Sequence, residues 1–173
     1  RPGFCNFDLP AAGEGPSDAA ISTARGARAV IALAGVTPAR AGACGAALED
    51  NVTLALAALK LAEAAAVPRF FVASSAAVYG AQDGPLREDM PCAPLSEYGR
   101  QKLAMEQAVR EAQGKTAITA LRIGNVAGAD AILGGWQPAM QIDRFPDGAT
   151  PSRSYIGPVT LARVLHALCQ AVK

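Results

Sequence analysis

The sequence predicts an α/β domain built on a parallel sheet flanked by helices, and three observations carry that prediction. The apolar run of strand length at 28–34 (RAVIALA) has the pattern of a strand covered on both faces, 69–73 (RFFVA) reads as the next buried strand, and 117–123 (AITALRI) as another. Longer helical stretches at 46–66 and 98–112 separate them, as right-handed crossovers require. No internal repeat or low-complexity linker interrupts the chain, so residues 1–173 read as a single domain.

Each element has its own warrant. Residues 4–8 read as a short strand ending in an acid, and residues 19–25 as a weak helix. Gly35-Val36-Thr37-Pro38 after the 28–34 run is loop chemistry. The alanine- and leucine-rich stretch 46–66 is helical until Pro68 stops it. A polar, proline-rich loop over 80–96 leads into the 98–112 helix, which Gly114 ends. After the 117–123 strand comes the turn-rich GNVAGAD, and a last helix covers 159–172. The least regular stretch, 133–151, is expected to be a loose substrate-side loop within a small segment at about 124–158.

Composition excludes several classes of function. With 51% apolar and 18% charged residues the chain is globular, and a net charge of +1 supplies no field for nucleic acid or an anionic membrane. Cys5, Cys44, Cys92 and Cys169 form no CxxC pair and His166 lies apart from the first three, so neither a metal site nor a disulfide scaffold is expected. The N-terminal residues do not read as a signal peptide, and no run reaches the ~18 apolar residues of a membrane span. A cytoplasmic protein with reduced thiols is the expectation.

The chemistry concentrates in SEYGRQK. Tyr98 and Lys102 stand four positions apart, on one face of the expected helix. A phenol near pKa ~10 is a poor base at neutrality, and an adjacent ammonium favours the phenolate. The pair would then serve an alcohol–ketone interconversion as proton acceptor and donor. YxxxK alone is weak evidence, because the same spacing occurs on many solvated helix faces. Context strengthens it: FVASSAAVYG brings Ser74 and Ser75 to the C-terminal end of a buried strand, the side on which open parallel sheets bind ligands. Ser75 precedes Tyr98 by 23 residues and could hydrogen-bond a substrate oxygen. The ordinary alternative for a serine pair there is a turn or helix cap. His166, among apolar neighbours in LARVLHALCQ, reads as a packing residue, and Trp136 and Met140 as core filling.

VIALAG, the long helix with Asn51, RFFVASSAAVYG, SEYGRQKLAMEQ, LRIGNVAGA and RSYIGPVTLA follow one another in the order seen in extended short-chain dehydrogenases/reductases. Over roughly residues 27–168 the chain most resembles the NAD-dependent epimerase/dehydratase group, UDP-glucose 4-epimerase and its relatives. The resemblance implies a Rossmann-like sheet, NAD or NADP as cofactor, and a nucleotide sugar as substrate. It implies Tyr98 as catalytic base or acid, Lys102 on the nicotinamide ribose, and Ser75 on the reacting hydroxyl. Ala34, Gly35, Asn51 and Ser74 would line the cofactor, and Asp8 would grip its adenosine ribose. Asn125 and Arg153 would bind the sugar nucleotide, an arginine fork suiting its diphosphate. A homodimer through the helices at 46–66 and 98–112 also follows from it. Where 4,6-dehydratase relatives carry an acidic pair, this chain has Ala76-Ala77, which cannot transfer protons, so epimerisation or simple oxidoreduction is favoured.

The chain also departs from the pattern. No GxxGxxG or GxGxxG stands near its start, so the expected Rossmann-like sheet is incomplete, without its first strand and glycine-rich turn. In the strand order 3-2-1-4-5-6 that loss leaves the edges of strands 2 and 4 facing a gap. The stretch between Asn125 and Arg153 is also shorter than in the sugar epimerases, and a fragment or a truncated gene product is the simplest account. Two alternatives stand beside a nucleotide-sugar epimerase or oxidoreductase. One is a reductase or dehydrogenase of another small carbonyl or alcohol; the other is a non-catalytic domain without cofactor affinity.

Overall fold

A computed structural model describes residues 9–10, 14–82, 84–112, 114–130, 133–135, 138–139, 141, 143–150 and 152–171. The expected strand at 4–8 with Asp8, together with Trp136 and Met140, lies outside the described residues. The chain divides into two compact units, Arg1–Arg122 and Ile123–Lys173.

In the first unit the order is α1 (Asp18–Ala24), β1 (Val30–Ala32), α2 (Pro38–Cys44), α3 (Asp50–Ala64), β2 (Arg69–Ser75), a 3-10 turn (Ala76–Tyr79), α4 (Glu97–Glu111) and β3 (Ala117–Ile123), whose last residue falls to the second unit. The strands form a three-stranded sheet in the order β1-β2-β3. It is the incomplete Rossmann-like arrangement of parallel strands and helices that the sequence predicts. β1 and β2 run parallel in the register Val30–Phe70, Ile31–Phe71, Ala32–Val72. In the second unit β4 (Asn125–Val126) pairs in parallel with β5 (Tyr155–Ile156), and α5 (Pro158–Gln170) follows.

The core of the first unit forms where one face of β2 meets α3 and α4. Alternation sends Phe70 and Val72 to the same face, where they pack with Ala58, Leu59 and Ala62 of α3 and Met105 and Val109 of α4. The alanines of α3 keep that helix close to the sheet, and Leu59 fills the space they leave. At the far end of α3, the Glu63 carboxylate accepts the backbone N–H groups of Gly114, Lys115 and Thr116 at 3.0, 3.1 and 3.0 Å. It thereby fixes the approach to β3.

Several expected bounds shift for identifiable reasons. β1 is shorter than 28–34, because pairing with β2 covers only Val30–Ala32 and Leu33 beyond it is 59% exposed. The expected 46–66 helix begins only at Asp50, after a turn in which Ala47 and Leu48 carbonyls accept the N–H groups of Asp50 and Asn51. The stretch before it holds α2, which Thr37 caps, Pro38 opens and left-handed Gly45 closes. His166 is exposed on α5, which has no buried residue, so the packing role expected for it is not met.

Asn51 braces the loop that leaves β1. It is 1% exposed. Its Oδ1 accepts the Val36 N–H at 3.2 Å, and its Nδ2 donates to the carbonyls of Val36 and Leu48 at 3.0 and 2.8 Å. Both amide N–H groups and the amide oxygen are therefore engaged.

Two outcomes follow. Asn51→Asp keeps an acceptor for Val36 N–H but turns the donor into an acceptor facing two carbonyls. It should destabilise the first unit by about 2–4 kcal/mol, read as a lower urea midpoint at unchanged slope. An unchanged midpoint would refute the bracing role. For Glu63, burial alone pushes the carboxyl up, but the N–H bonds from Thr116, Lys115 and Gly114 outweigh it and hold the group below its ordinary 4.5. Its stabilisation is thus complete above the ordinary value and is lost as pH falls through the lower folded value. Glu63→Gln should lower the melting temperature at pH 7, with the gap to wild type closing in acid. A gap that stays constant down to pH ~3 would contradict this.

Candidate active site

One face of α4 carries Tyr98, Lys102 and Glu106 at successive four-residue steps. All three meet the last residues of β2. Ser96 caps the helix by accepting the Gly99 N–H at 3.1 Å, so the face begins at a fixed rotation. Gly99 lets the first turn come close: a Cβ there would lie 2.6 Å from the Ala77 carbonyl oxygen and 2.9 Å from Pro94. The residue after Tyr98 is therefore glycine for a packing reason, and that packing brings Tyr98 to Ser75.

Ser75 ends β2 and caps the 3-10 turn, its Oγ accepting the Ala77 N–H at 3.2 Å. The cap role that the sequence offers as the ordinary alternative is thus present, in the same hydroxyl that neighbours Tyr98. Burial holds the Tyr98 phenol above its ordinary value, while the neighbouring Ser75 hydroxyl, which favours the phenolate, works the other way. This reverses the direction expected from the Tyr98–Lys102 spacing. The Lys102 ammonium lies 5.9 Å from the Tyr98 ring centroid and donates instead to the Ala73 carbonyl at 2.8 Å. Burial also pushes the Lys102 ammonium down. Desolvation at the strand end outweighs the attraction across that distance.

The loop after β1 reaches the same place. A Cβ on Gly35 would lie 2.7 Å from Asn51 Oδ1 and 3.3 Å from Lys102 Nζ. The backbone at Gly35 therefore passes beside the lysine as only glycine allows. Ala34 stands exposed next to it. Gly35, Asn51, Ser75, Tyr98 and Lys102 thus gather in the first unit. Asn125 and Arg153 belong to the second, at the β4–β5 pair: Asn125 donates its N–H and its Nδ2 to the Ser154 carbonyl at 3.2 and 3.1 Å, and Arg153 is exposed.

Ser74 faces the other way from Ser75. It is buried, and its hydroxyl donates to Glu106 Oε1 at 2.5 Å. Glu106 in turn accepts from Arg122 of β3, at 3.0 and 3.2 Å from Nε and 2.8 Å from Nη2. Arg122 Nη1 donates to the Tyr79 hydroxyl at 2.9 Å, and the guanidinium lies 4.8 Å from the Tyr79 ring centroid. The hydrogen bonds to Glu106 hold the guanidinium above its ordinary value, so it stays charged. This network was not read from the sequence. Its signals were a glutamate continuing the Tyr98–Lys102 spacing and an arginine inside an otherwise apolar strand, which needs a partner. Among the described residues no group of three or more His, Cys, Asp or Glu could hold a metal, and no helix is long and apolar enough to cross a membrane.

The chain is similar to known proteins. Residues 5–145 match the model of the NAD dependent epimerase/dehydratase family. A UDP-glucose 4-epimerase of Azospirillum brasilense is 39% identical over 84 residues, which are 47% of this chain and 24% of that enzyme. One from Corynebacterium glutamicum is 41% identical over 88 residues, 49% of this chain and 27% of that enzyme. The solved UDP-glucose 4-epimerase of Bifidobacterium longum, a complex with NAD+ and UDP, superposes with a TM-score of 0.64 at 26% identity. That match takes in 84% of this chain and 53% of the solved one. The matched stretches thus span about a quarter of the curated enzymes and about half of the solved chain. With the family model matching most of its length, this chain belongs to the NAD dependent epimerase/dehydratase family.

Proposed function

We propose that the chain carries the proton-transfer site of an NAD-dependent epimerase or oxidoreductase of nucleotide sugars. The observation that carries this reading is that Tyr98 meets Ser75 at the carboxyl end of β2, while Lys102, on the same helix face, donates to the Ala73 carbonyl of that strand 5.9 Å from the Tyr98 ring centroid. Ser75 orients the reacting hydroxyl, and Tyr98 takes its proton and later returns one. With burial holding the phenol above its ordinary value, Tyr98 stands ready as the acid that returns a proton and must first lose its own before it acts as base. Lys102 is a buried ammonium that the Gly35 backbone approaches too closely to admit a Cβ.

Lys102, Gly35 and Ala34 are assigned to the cofactor on the resemblance, with Asp8 on its adenosine ribose. Asn51 acts through the loop it braces, and Ser74 through Glu106. A nicotinamide cofactor, when bound, supplies the hydride acceptor and donor. Asn125 and Arg153 are assigned to the nucleotide sugar on the resemblance alone, as is pairing of two copies through α3 and α4. NAD is favoured because the family is NAD dependent and the Bifidobacterium longum relative is an NAD+ complex. Ala76 and Ala77 offer no acid or base next to Ser75, which favours epimerisation or oxidoreduction over dehydration.

The test is a titration of the purified chain with NADH, followed by nicotinamide fluorescence, then a panel of UDP-sugars. The expected result is saturable binding that Tyr98→Phe leaves within about twofold, while turnover falls about 10²–10⁴-fold. Turnover retained by Tyr98→Phe would overturn the role of the phenol. Failure of the folded chain to bind NADH would favour a non-catalytic domain.

A further inference from the structure

We propose that Glu106 and Arg122 are positioning residues for Tyr98, setting the rotation of α4 against the end of β2 through Ser74 and Tyr79. The inference rests on the reading of Tyr98 as the proton-transfer group and adds the part of the protein that aims it. Glu106 is 3% exposed, and its side chain engages two strands at once. Oε1 takes the hydroxyl of Ser74 and Nε of Arg122, and Oε2 takes Nε and Nη2. The guanidinium then reaches the Tyr79 hydroxyl and the Glu88 carbonyl at 2.9 and 3.5 Å.

These contacts bracket Ser75 in sequence. Ser74 precedes it and the 3-10 turn carrying Tyr79 follows it, so both flanks of Ser75 are tied to one ion pair. On the helix, Glu106 lies two turns from Tyr98 with Lys102 between them. A helix held at Glu106 and Lys102 has little freedom to roll, and its Tyr98 end follows. Simple packing would not need this arrangement: Met105 and Val109 already bury the adjoining stripe of α4 against the core. A planar fork on a carboxylate adds a fixed direction, which apolar contacts lack.

The test uses the full chain with ring-labelled tyrosine, the Tyr98 signal being assigned by its loss in Tyr98→Phe. In Glu106→Gln the Tyr98 ring resonance should shift, and its phenol should titrate closer to the ordinary 10.0. Val109→Ala, which removes core volume from the same helix, should leave that resonance in place. An unmoved Tyr98 signal in folded Glu106→Gln, or an equal shift in Val109→Ala, would overturn the proposal. Should Glu106→Gln not fold, Ser74→Ala removes one hydroxyl and keeps the ion pair. It should shift the same signal, and no shift would count against the proposal. None of these readouts needs cofactor or turnover, so their failure is distinct from failure of the catalytic reading, which Tyr98→Phe kinetics tests.

Discussion

Ser74 donates to Glu106 and Lys102 donates to the Ala73 carbonyl, so two successive turns of α4 are tied to two adjacent residues of β2. Tyr98, one turn earlier, meets Ser75 on the same seam. The placement of Ser75, Tyr98 and Lys102 depends on that register. The strand end supplies the hydroxyl, the helix supplies the phenol and the ammonium, and the seam fixes their separation. Gly99 and Gly35 belong to the same constraint, since each lets backbone approach the seam where a Cβ would collide. Asn51 then holds the loop that carries Gly35, with its hydrogen-bonding groups engaged in the task.

The electrostatics of the seam follow from burial. Tyr98 and Lys102 both sit where their charged forms are disfavoured, one pushed up and the other down. Glu106 and Arg122 show the opposite solution nearby. There, two charges are taken out of water together and repaid by several hydrogen bonds, at side-chain exposures of 2% and 18%. Such a pair is costly to break and directional while it holds, which suits a fixed point better than a source of stability.

Much of this was legible in the sequence, and the parts that were not share a cause. The β3 strand occupies the expected 117–123, and α4 differs from its expected range by one residue at each end, because a strand-length segment between Gly114 and Gly124 and a helical stretch between a proline-rich loop and Gly114 are strong local signals. Ser75, Tyr98 and Lys102 could be grouped because strand-end serines and YxxxK have a stated chemical use. Glu106 escaped notice because a glutamate on a helix resembles any solvated face until its partner is known, and that partner lies on another strand. Asn51 was named, but its use as a brace for Val36 depends on a loop fifteen residues away. The two-residue strands β4 and β5 have no period to read. The direction of the Tyr98 shift was missed because sequence spacing reports neighbours and says nothing of solvent.

The hydrogen bonds along the seam make α4 and β2 one mechanical unit, and native-state hydrogen exchange on the chain tests this most directly. Amides of residues 70–74 and 102–109 should share a single opening free energy, that of unfolding the whole first unit, while those of α1 open at lower cost. If α4 amides open at a lower free energy than those of β2, the helix moves independently of the strand. The seam would then not be what holds Tyr98 against Ser75.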